Sequence, residues 1–377
     1  MTPALGLRLA ARDRVRSALA SLGIAAAVLI AFVEMGFMNG VVDSHLALVE
    51  AARGDLVLLD SRRTHLNKWD ELPAIRLPQI RAVEGVGSVS PVYQAGMTFR
   101  SARENAGAPE HRIVAIAFPP EDPPLELGWS EETLALLRRP GTVLMDGLSR
   151  PIYGELAIGQ DVWLDGRLVR LGGFVALGAT IVIDGTIAMS ESTFRSIEPD
   201  GGPDMAVVRV AAGADPRHVK ARIAELTGES VQVFDKRELA DRETAYLMRV
   251  APLGLLFGAG MAAGLFVGLV ICYQVLYVAI RRRLKAYATL KAMGFGNGFL
   301  LRTVLEQAWL LGIAGYVLGL GLAAIAYEVL AARTGLTIEL SLARCAAVAA
   351  GCLAACTAAG AIAALRALRT PPAELFH

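Results

Sequence analysis

The chain contains few residue patterns that could carry out catalysis. A nucleotide-binding phosphate loop requires a Gly-Lys pair, and no Gly-Lys pair occurs anywhere in the sequence. The Gly-x-Ser-x-Gly elbow of serine hydrolases and the His-Glu-x-x-His motif of zinc peptidases are also absent. None of the five histidines has a partner at the spacing of a zinc site. We therefore expect a protein that is not an enzyme and that holds no cofactor or metal of its own.

Two carboxylates lie in or beside long apolar runs, Glu34 and Glu306. A carboxylate within a membrane span is energetically costly and is therefore a candidate functional group. A structural explanation stays open for both residues, because each can be placed near a membrane interface. Glu306 also lies one helical turn beyond Arg302 and can pair with it.

A basic segment at residues 281–295 has a spacing that indicates a docking role. At about 100° per residue, Arg282, Lys285 and Thr289 share one side of a helix, with apolar residues roughly opposite. Gly294 and the two alternate glycines after it, up to Gly298, are expected to end this helix. The pattern is typical of a cytoplasmic docking element, although a solvated loop held inside by its charge would have the same spacing.

The sequence is too apolar for an ordinary soluble protein, with 54% hydrophobic and 19% charged residues. A helix needs about 20 apolar residues to cross a bilayer. The first apolar run could also be a cleaved signal peptide, but it lacks a small-x-small cleavage site, so we predict a retained anchor. The predicted transmembrane helices are residues 17–40, 249–280, 303–330 and 342–365.

Residues 41–248 differ in composition, with proline, glycine and charge throughout. The segment predicts one folded α+β domain, and the helix starting at Leu239 is expected to continue directly into the second span. All four cysteines lie in apolar segments, so no disulfide framework is expected in this domain. Strands are predicted at 55–60, 142–145, 167–174 and 205–210, and helices at 73–83, 130–138 and 215–226.

The distribution of Lys and Arg predicts the topology. Basic residues precede the first span, fill the loop between the second and third, and follow the fourth, so both termini and that loop are predicted to be cytoplasmic. The predicted fold is an α-helical transmembrane bundle of four spans per chain, with a large α+β extracytoplasmic domain between spans 1 and 2. The remaining predicted segments are an interfacial helix at 1–16, the cytoplasmic loop at 281–302, a short outer loop at 331–341 and a cytoplasmic tail at 366–377.

Glycines recur at four-residue spacing in the spans and predict close helix packing. The sequence leaves open whether these faces pack within one chain or between two, and a second copy is the economical completion. The net charge of +1 gives no indication of a nucleic-acid partner. The predicted packing residues are Gly254, Gly258, Gly260, Gly264, Gly268, Gly315 and Gly319.

Several stretches resemble the FtsX/MacB-type permeases of ABC exporters, and within them the DevC-like branch. The resemblance covers nearly the whole chain. The string Tyr287–Gly294 is its most specific part, and the ending Leu368–Phe376 is similar to the ending of that branch, with Pro371 where an aspartate is usual. The other similar stretches are Gly54–Leu59, Ser88–Tyr93 and Ser149–Gly154.

The resemblance implies a homodimeric permease in the lipid of the bacterial inner membrane. A separate MacB-type ATPase would bind ATP and Mg²⁺ and dock on the basic segment as a coupling helix. A periplasmic adaptor (membrane fusion protein) and a TolC-like outer-membrane channel would complete the assembly. Ala286 stands where the family usually has a glutamate, so no ion pair is implied there. The implied docking residues are Leu284, Tyr287, Ala288, Leu290, Lys291 and Met293.

We therefore expect the permease subunit of an ATP-driven tripartite exporter, in which ATPase motion crosses the membrane and drives cargo from the outer domain into the adaptor. The alternative is an FtsX-like mechanotransmission module that regulates a periplasmic hydrolase, or senses a ligand, without transport. A membrane-anchored enzyme is a third reading, which the missing catalytic constellation disfavours.

Overall fold

Two kinds of sequence build two separate units in the structure, a computed structural model that describes residues 14–68, 70–102, 109–176, 184–282, 296–334 and 340–368. One unit, here called the membrane unit, contains the four long apolar helices. The other, here called the outer domain, contains residues 41–251. The boundary between the units falls at Gly40 and Val41, within a single helix.

The described residues form nine α-helices and nine strands. The helices are α1 (Arg14–Glu50), α2 (Arg76–Arg81), α3 (Glu131–Leu137), α4 (Glu191–Ile197), α5 (Pro216–Thr227), α6 (Lys236–Arg249), α7 (Leu253–Arg282), α8 (Asn297–Thr334) and α9 (Leu342–Leu368). The strands are β1 (Leu56–Asp60), β2 (Val86–Ser101), β3 (His111–Phe118), β4 (Thr142–Asp146), β5 (Asp161–Leu164), β6 (Arg167–Val175), β7 (Thr186–Ser190), β8 (Met205–Val210) and β9 (Val231–Asp235). Short 3₁₀ turns lie at Pro151–Tyr153 and Gly228–Ser230.

Helices α1, α7, α8 and α9 each contain a stretch long and apolar enough to cross a membrane. With the α+β domain between the first and second of them, they confirm the predicted fold class. Each helix extends past the C-terminal end of its predicted span, and α7 begins four residues after its predicted start at residue 249. Gly298 does not end a helix as expected, since it lies in the first turn of α8.

The prediction of one helix running from Leu239 into the second span is wrong. Helix α6 ends at Arg249 and α7 begins at Leu253. Pro252 lies between them, and a proline has no amide hydrogen and disfavours helical geometry at the residue before it. The Ala251-Pro252 pair was therefore the signal in the sequence for this break.

Strands β9, β1, β8 and β2 form an antiparallel sheet in that order. Helix α2 connects β1 with β2, and α5 connects β8 with β9. Both helices cover the same face of the sheet, where Ile80 of α2 and Ile223 of α5 share one core with Leu56 and Leu58. This connectivity and strand order are those of a ferredoxin-like unit.

The other strands close into a six-stranded barrel inserted between β2 and β8. The pairings run β2–β3–β7–β4–β6–β5 and return from β5 to β2. Strand β2 belongs to both parts: its residues 86–92 pair with β8, and its residues 93–101 pair with β3 and β5. The barrel and the ferredoxin-like sheet therefore share one continuous strand.

Alternate residues of the barrel strands fill the barrel interior. Met97 and Phe99 on β2 and Leu164 on β5 are almost completely buried there. This alternation is the rule for small barrels, whose interiors are packed with side chains and form no channel. Residues that face outward, such as Ile116 and Phe118, join the barrel to the ferredoxin-like sheet in a second core.

The predicted strands and helices of the outer domain are confirmed, with boundaries shifted by at most a few residues. The helix starts follow capping rules. Ser130 accepts a hydrogen bond from the amide of Thr133, and Asp215 accepts one from the amide of Arg217.

Replacing Leu164 by alanine should destabilise the outer domain by about 2 to 4 kcal/mol, because it opens a cavity inside the packed barrel. Leu168→Ala, on the neighbouring strand at a side chain that is 52% exposed, is the matched control and should change stability by less than about 1 kcal/mol. Denaturant unfolding of the purified chain, followed by tryptophan fluorescence, measures both. Equal losses would contradict a packed barrel.

Candidate functional site

The predicted ATPase-docking residues lie outside the described part of the chain. Helix α7 ends at Arg282, and α8 begins at Asn297. These residues are Leu284, Tyr287, Ala288, Leu290, Lys291 and Met293.

One of the predicted glycine ladders lies against α1. A Cβ added at Gly260 would lie 2.5 Å from Oε1 of Glu34, and one added at Gly268 would lie 2.9 Å from Cβ of Ala27. Gly264, between them, faces the next turn of α1 in the same way. Real Cβ atoms almost never come this close, so the contact between α1 and α7 depends on glycine.

Helix α8 approaches α1 through a second pair of glycines. A Cβ at Gly315 would lie 2.6 Å from Cβ of Ile24, and one at Gly319 would lie 2.7 Å from Cβ of Val28. Tyr327 of α8 adds a polar contact, since its hydroxyl donates to the backbone carbonyl of Phe32 at 2.5 Å. Helix α1 is therefore packed closely by both α7 and α8.

The first predicted ladder, Gly254 with Gly258, differs from the others. A Cβ at Gly258 would meet nothing within 4 Å among the described residues. Gly254 is half-buried, one turn earlier on α7. No described helix of the same chain packs against Gly258, in contrast to Gly260, Gly264 and Gly268.

The two predicted intramembrane carboxylates have different surroundings. Glu306 accepts a hydrogen bond from Nε of Arg302 at 3.1 Å, one turn earlier on α8. Glu34 has no hydrogen-bond or ion-pair partner among the described residues, and its carboxylate lies against Gly260. The local ion pair that the sequence allowed is therefore present for Glu306, whereas Glu34 has no such pair among the described residues.

The outer domain contains a buried polar junction, defined by His45, Arg63, Asp204 and Glu243. The side chain of Glu243 on α6 is completely buried, and its Oε2 lies 2.7 Å from Nε2 of His45 on α1. The backbone amide of Leu66 donates to the same oxygen at 2.9 Å. One carboxylate thus connects α1, α6 and the loop that follows β1.

Arg63 occupies the centre of that loop and is fully buried. Its Nη1 donates to the backbone carbonyl of Asp204 at 2.7 Å, and its Nη2 donates to that of Leu66 at 2.5 Å. Burial lowers the pKa of the Arg63 guanidinium, which the nearby negative charges of Asp204 and Glu243 partly offset. The guanidinium therefore binds the loop to the start of β8.

The carboxyl group of Asp204 is also buried. Burial raises its pKa to about 7, against the opposing effects of a hydrogen bond from the backbone amide of Gln94 and of the Arg63 charge. The group therefore changes its protonation near neutral pH, whereas an exposed aspartate does so near pH 4.

Sequence reasoning missed this junction. Its members are scattered along the chain, and His45 and Glu243 are separated by 198 residues. The only local signal was Arg62-Arg63 directly after the apolar strand β1, a position that is also normal for a solvated turn.

Two family models match the chain. Residues 17–226, more than half of the chain, match the family described as MacB-like periplasmic core domain. Residues 258–372 match the FtsX-like permease C-terminal family. The chain belongs to the FtsX-like permeases with a MacB-like periplasmic core domain. This permease is a multi-pass membrane protein with an extracytoplasmic domain, and the ABC systems of its family use a separate ATPase.

Solved structures of similar proteins cover about half of the permease. The periplasmic region of MacB from Actinobacillus actinomycetemcomitans is 11% identical with a TM-score of 0.36, and the match covers 51% of this chain and 92% of that one. The extracellular domain of the noncanonic ABC-type transporter YknZ from Gram-positive bacteria is 12% identical with a TM-score of 0.33, covering 48% and 98%. A comparison with curated proteins gave no match.

Replacing Gly268 of the permease by alanine should force α1 and α7 apart, because the new Cβ would lie 2.9 Å from Cβ of Ala27, an atom that cannot rotate away. We expect the unfolding temperature in detergent to fall, with a loss of about 1 to 3 kcal/mol in the free energy of unfolding. Gly258→Ala makes the same change earlier on the same helix, where a new Cβ would meet no described atom within 4 Å, and it should cause no measurable loss. Equal unfolding temperatures for the two variants would contradict the close contact between α1 and α7.

Asp204→Asn should stabilise the permease in a pH-dependent way. Because its folded-state pKa is raised to about 7, the protonated carboxyl stabilises the fold below about pH 4, and this contribution is lost as the pH rises through 7. Asparagine stays neutral, so its gain in stability should be about 2 kcal/mol larger at pH 8 than at pH 5. Thermal unfolding at both pH values measures this gain. Asp200→Asn, at an exposed position, is the control, and an equal gain at the two pH values contradicts the prediction.

Proposed function

We propose that this permease belongs to the DevC-like branch and serves an ATP-driven tripartite exporter. It would transmit the motion of an ATPase through the membrane to the outer domain, which drives cargo into an adaptor and an outer-membrane channel. The observation that carries this proposal is α1, a single helix of 37 residues. It contains the first span, and its last turns place Leu46 and Val49 in the buried core of the outer domain.

The buried polar junction supports the transmission of motion within the outer domain. The last turns of α1 carry His45, and the contact of His45 with Glu243 joins them to α6. Because Glu243 is fully buried, breaking this contact would leave an uncompensated polar group, which costs several kcal/mol. A displacement of α1 would therefore also move α6 and the loop around Arg63.

The energy for this motion would come from a MacB-type ATPase that binds ATP and Mg²⁺, since the permease sequence contains no phosphate loop. The basic segment at residues 281–295 would be its docking site. The excess of Lys and Arg favours a cytoplasmic position for this segment and for both termini. The permease would act as a homodimer in a bacterial inner membrane.

The second candidate function is an FtsX-like module that transmits motion to a periplasmic hydrolase, or reports a ligand, without moving cargo. The same helix α1 would serve it equally well. Copurification separates the two. An adaptor with a long helical hairpin supports export, and a cell-wall hydrolase or sensor kinase supports the second function.

Replacing both Tyr287 and Leu290 by aspartate should abolish adaptor-stimulated ATP hydrolysis and leave the dimer assembled. Charged residues in an apolar docking face should weaken ATPase binding by more than about tenfold. Thr289→Asp, predicted on the opposite side of the same helix, is the matched control and should retain activity. Unchanged hydrolysis by the double variant in a fully assembled complex would contradict the docking role.

A further inference from the structure

The length of the first apolar run indicates that the carboxylate of Glu34 is near one end of the span. Seventeen residues separate it from Ser17 at the start of the first apolar run, which corresponds to about 26 Å along a helix. The hydrocarbon core of a bilayer is about 30 Å thick. The carboxylate thus lies near the boundary between hydrocarbon and water, at the end of the span that leads into the outer domain.

Nothing in the described part of the chain neutralises this carboxylate. Glu34 has neither a hydrogen-bond nor an ion-pair partner there, whereas Glu306 is paired with Arg302 at 3.1 Å. A half-buried carboxylate beside hydrocarbon is unfavourable without a counter-charge. A cation supplied from outside the chain would remove this cost.

The carboxylate of Glu34 occupies the space that a side chain at residue 260 of α7 would fill. An added Cβ would lie 2.5 Å from Oε1 and 2.7 Å from Cδ of Glu34. Ile30, one turn deeper on α1, is 43% exposed, and Val267, two turns deeper on α7, is 50% exposed. Both helices therefore expose an apolar side chain within two turns of the carboxylate, on the side away from the outer domain.

We propose that Glu34 and Gly260 form the head-group site for a cationic amphiphile. The ammonium group would contact the carboxylate, and the alkyl chain would lie along Ile30 and Val267. A net cation fits better than a zwitterionic lipid, since the lipid phosphate would bring a second negative charge next to Glu34. That such a molecule is exported cargo rests on the proposed function, whereas its binding does not.

The test uses the full permease in phosphatidylcholine nanodiscs, without its ATPase. The probe is a fluorescent alkyltrimethylammonium, and the alcohol with the same chain and label is the reference. Wild-type permease should bind the ammonium more tightly than the alcohol. Glu34→Gln should weaken ammonium binding by about tenfold and leave alcohol binding unchanged. Gly260→Ala should also weaken ammonium binding, because it displaces the carboxylate.

Glu306→Gln is the matched control. Its carboxylate is already paired, so ammonium binding should stay within about twofold of wild type. Equal wild-type affinity for ammonium and alcohol, or unchanged binding by a folded Glu34→Gln variant, overturns the proposal. Displacement of the probe by phosphatidylethanolamine in the nanodisc, abolished in Glu34→Gln, overturns it in favour of a lipid.

The binding assay and the ATPase assay test the head-group site and the proposed function independently of each other. If ammonium binding depends on Glu34 but the Tyr287 and Leu290 double variant hydrolyses ATP normally, the proposed function is contradicted and the binding site is supported. If the double variant loses ATP hydrolysis but ammonium binding does not depend on Glu34, the binding site is contradicted and the proposed function is supported.

Discussion

Close contact with glycine residues holds helix α1 in place within the membrane unit. Apolar helices gain no hydrophobic energy from association within lipid, so they associate through van der Waals contact at short distance. A Cβ added at any of four glycines would lie less than 3 Å from an atom of α1. These glycines are Gly260 and Gly268 on α7 and Gly315 and Gly319 on α8. Helix α1 therefore has a defined position between two neighbours, and a shift of one of these helices would be transmitted to the others.

The outer domain uses different forces around the same helix. Its barrel and its ferredoxin-like sheet are stabilised by apolar burial, and the long strand β2 passes through both. The contact between α1 and α6 is instead a buried polar one, through His45 and Glu243. A buried carboxylate oxygen with two hydrogen-bond partners favours one geometry, because a displacement that breaks these bonds leaves the oxygen without a partner. Within this domain, the contact therefore favours one position of α6 relative to the last turns of α1.

Both parts of α1 thus combine an apolar environment with a carboxylate. In the outer domain, Oε2 of Glu243 has two partners, His45 and a backbone amide, which suits a permanent structural contact, although its buried Oε1 has no hydrogen-bond partner among the described residues. In the membrane unit, Glu34 lies against a glycine and lacks a partner among the described residues, which suits a contact that is made and broken. These surroundings suit Glu243 to connecting α1 with α6 and suit Glu34 to binding a ligand.

The sequence by itself determined the features that depend on neighbouring residues. Hydropathy over about 20 residues located the four spans, local alternation located the strands, and Ser130 and Asp215 marked helix starts. The prediction of a continuous helix was wrong at Pro252, because it followed the apolar run and did not take the proline into account. Only the tertiary structure decided how the strands close into a barrel, which helix each glycine meets, and that His45 lies beside Glu243. These contacts join residues far apart in the chain, and no local spacing rule encodes them.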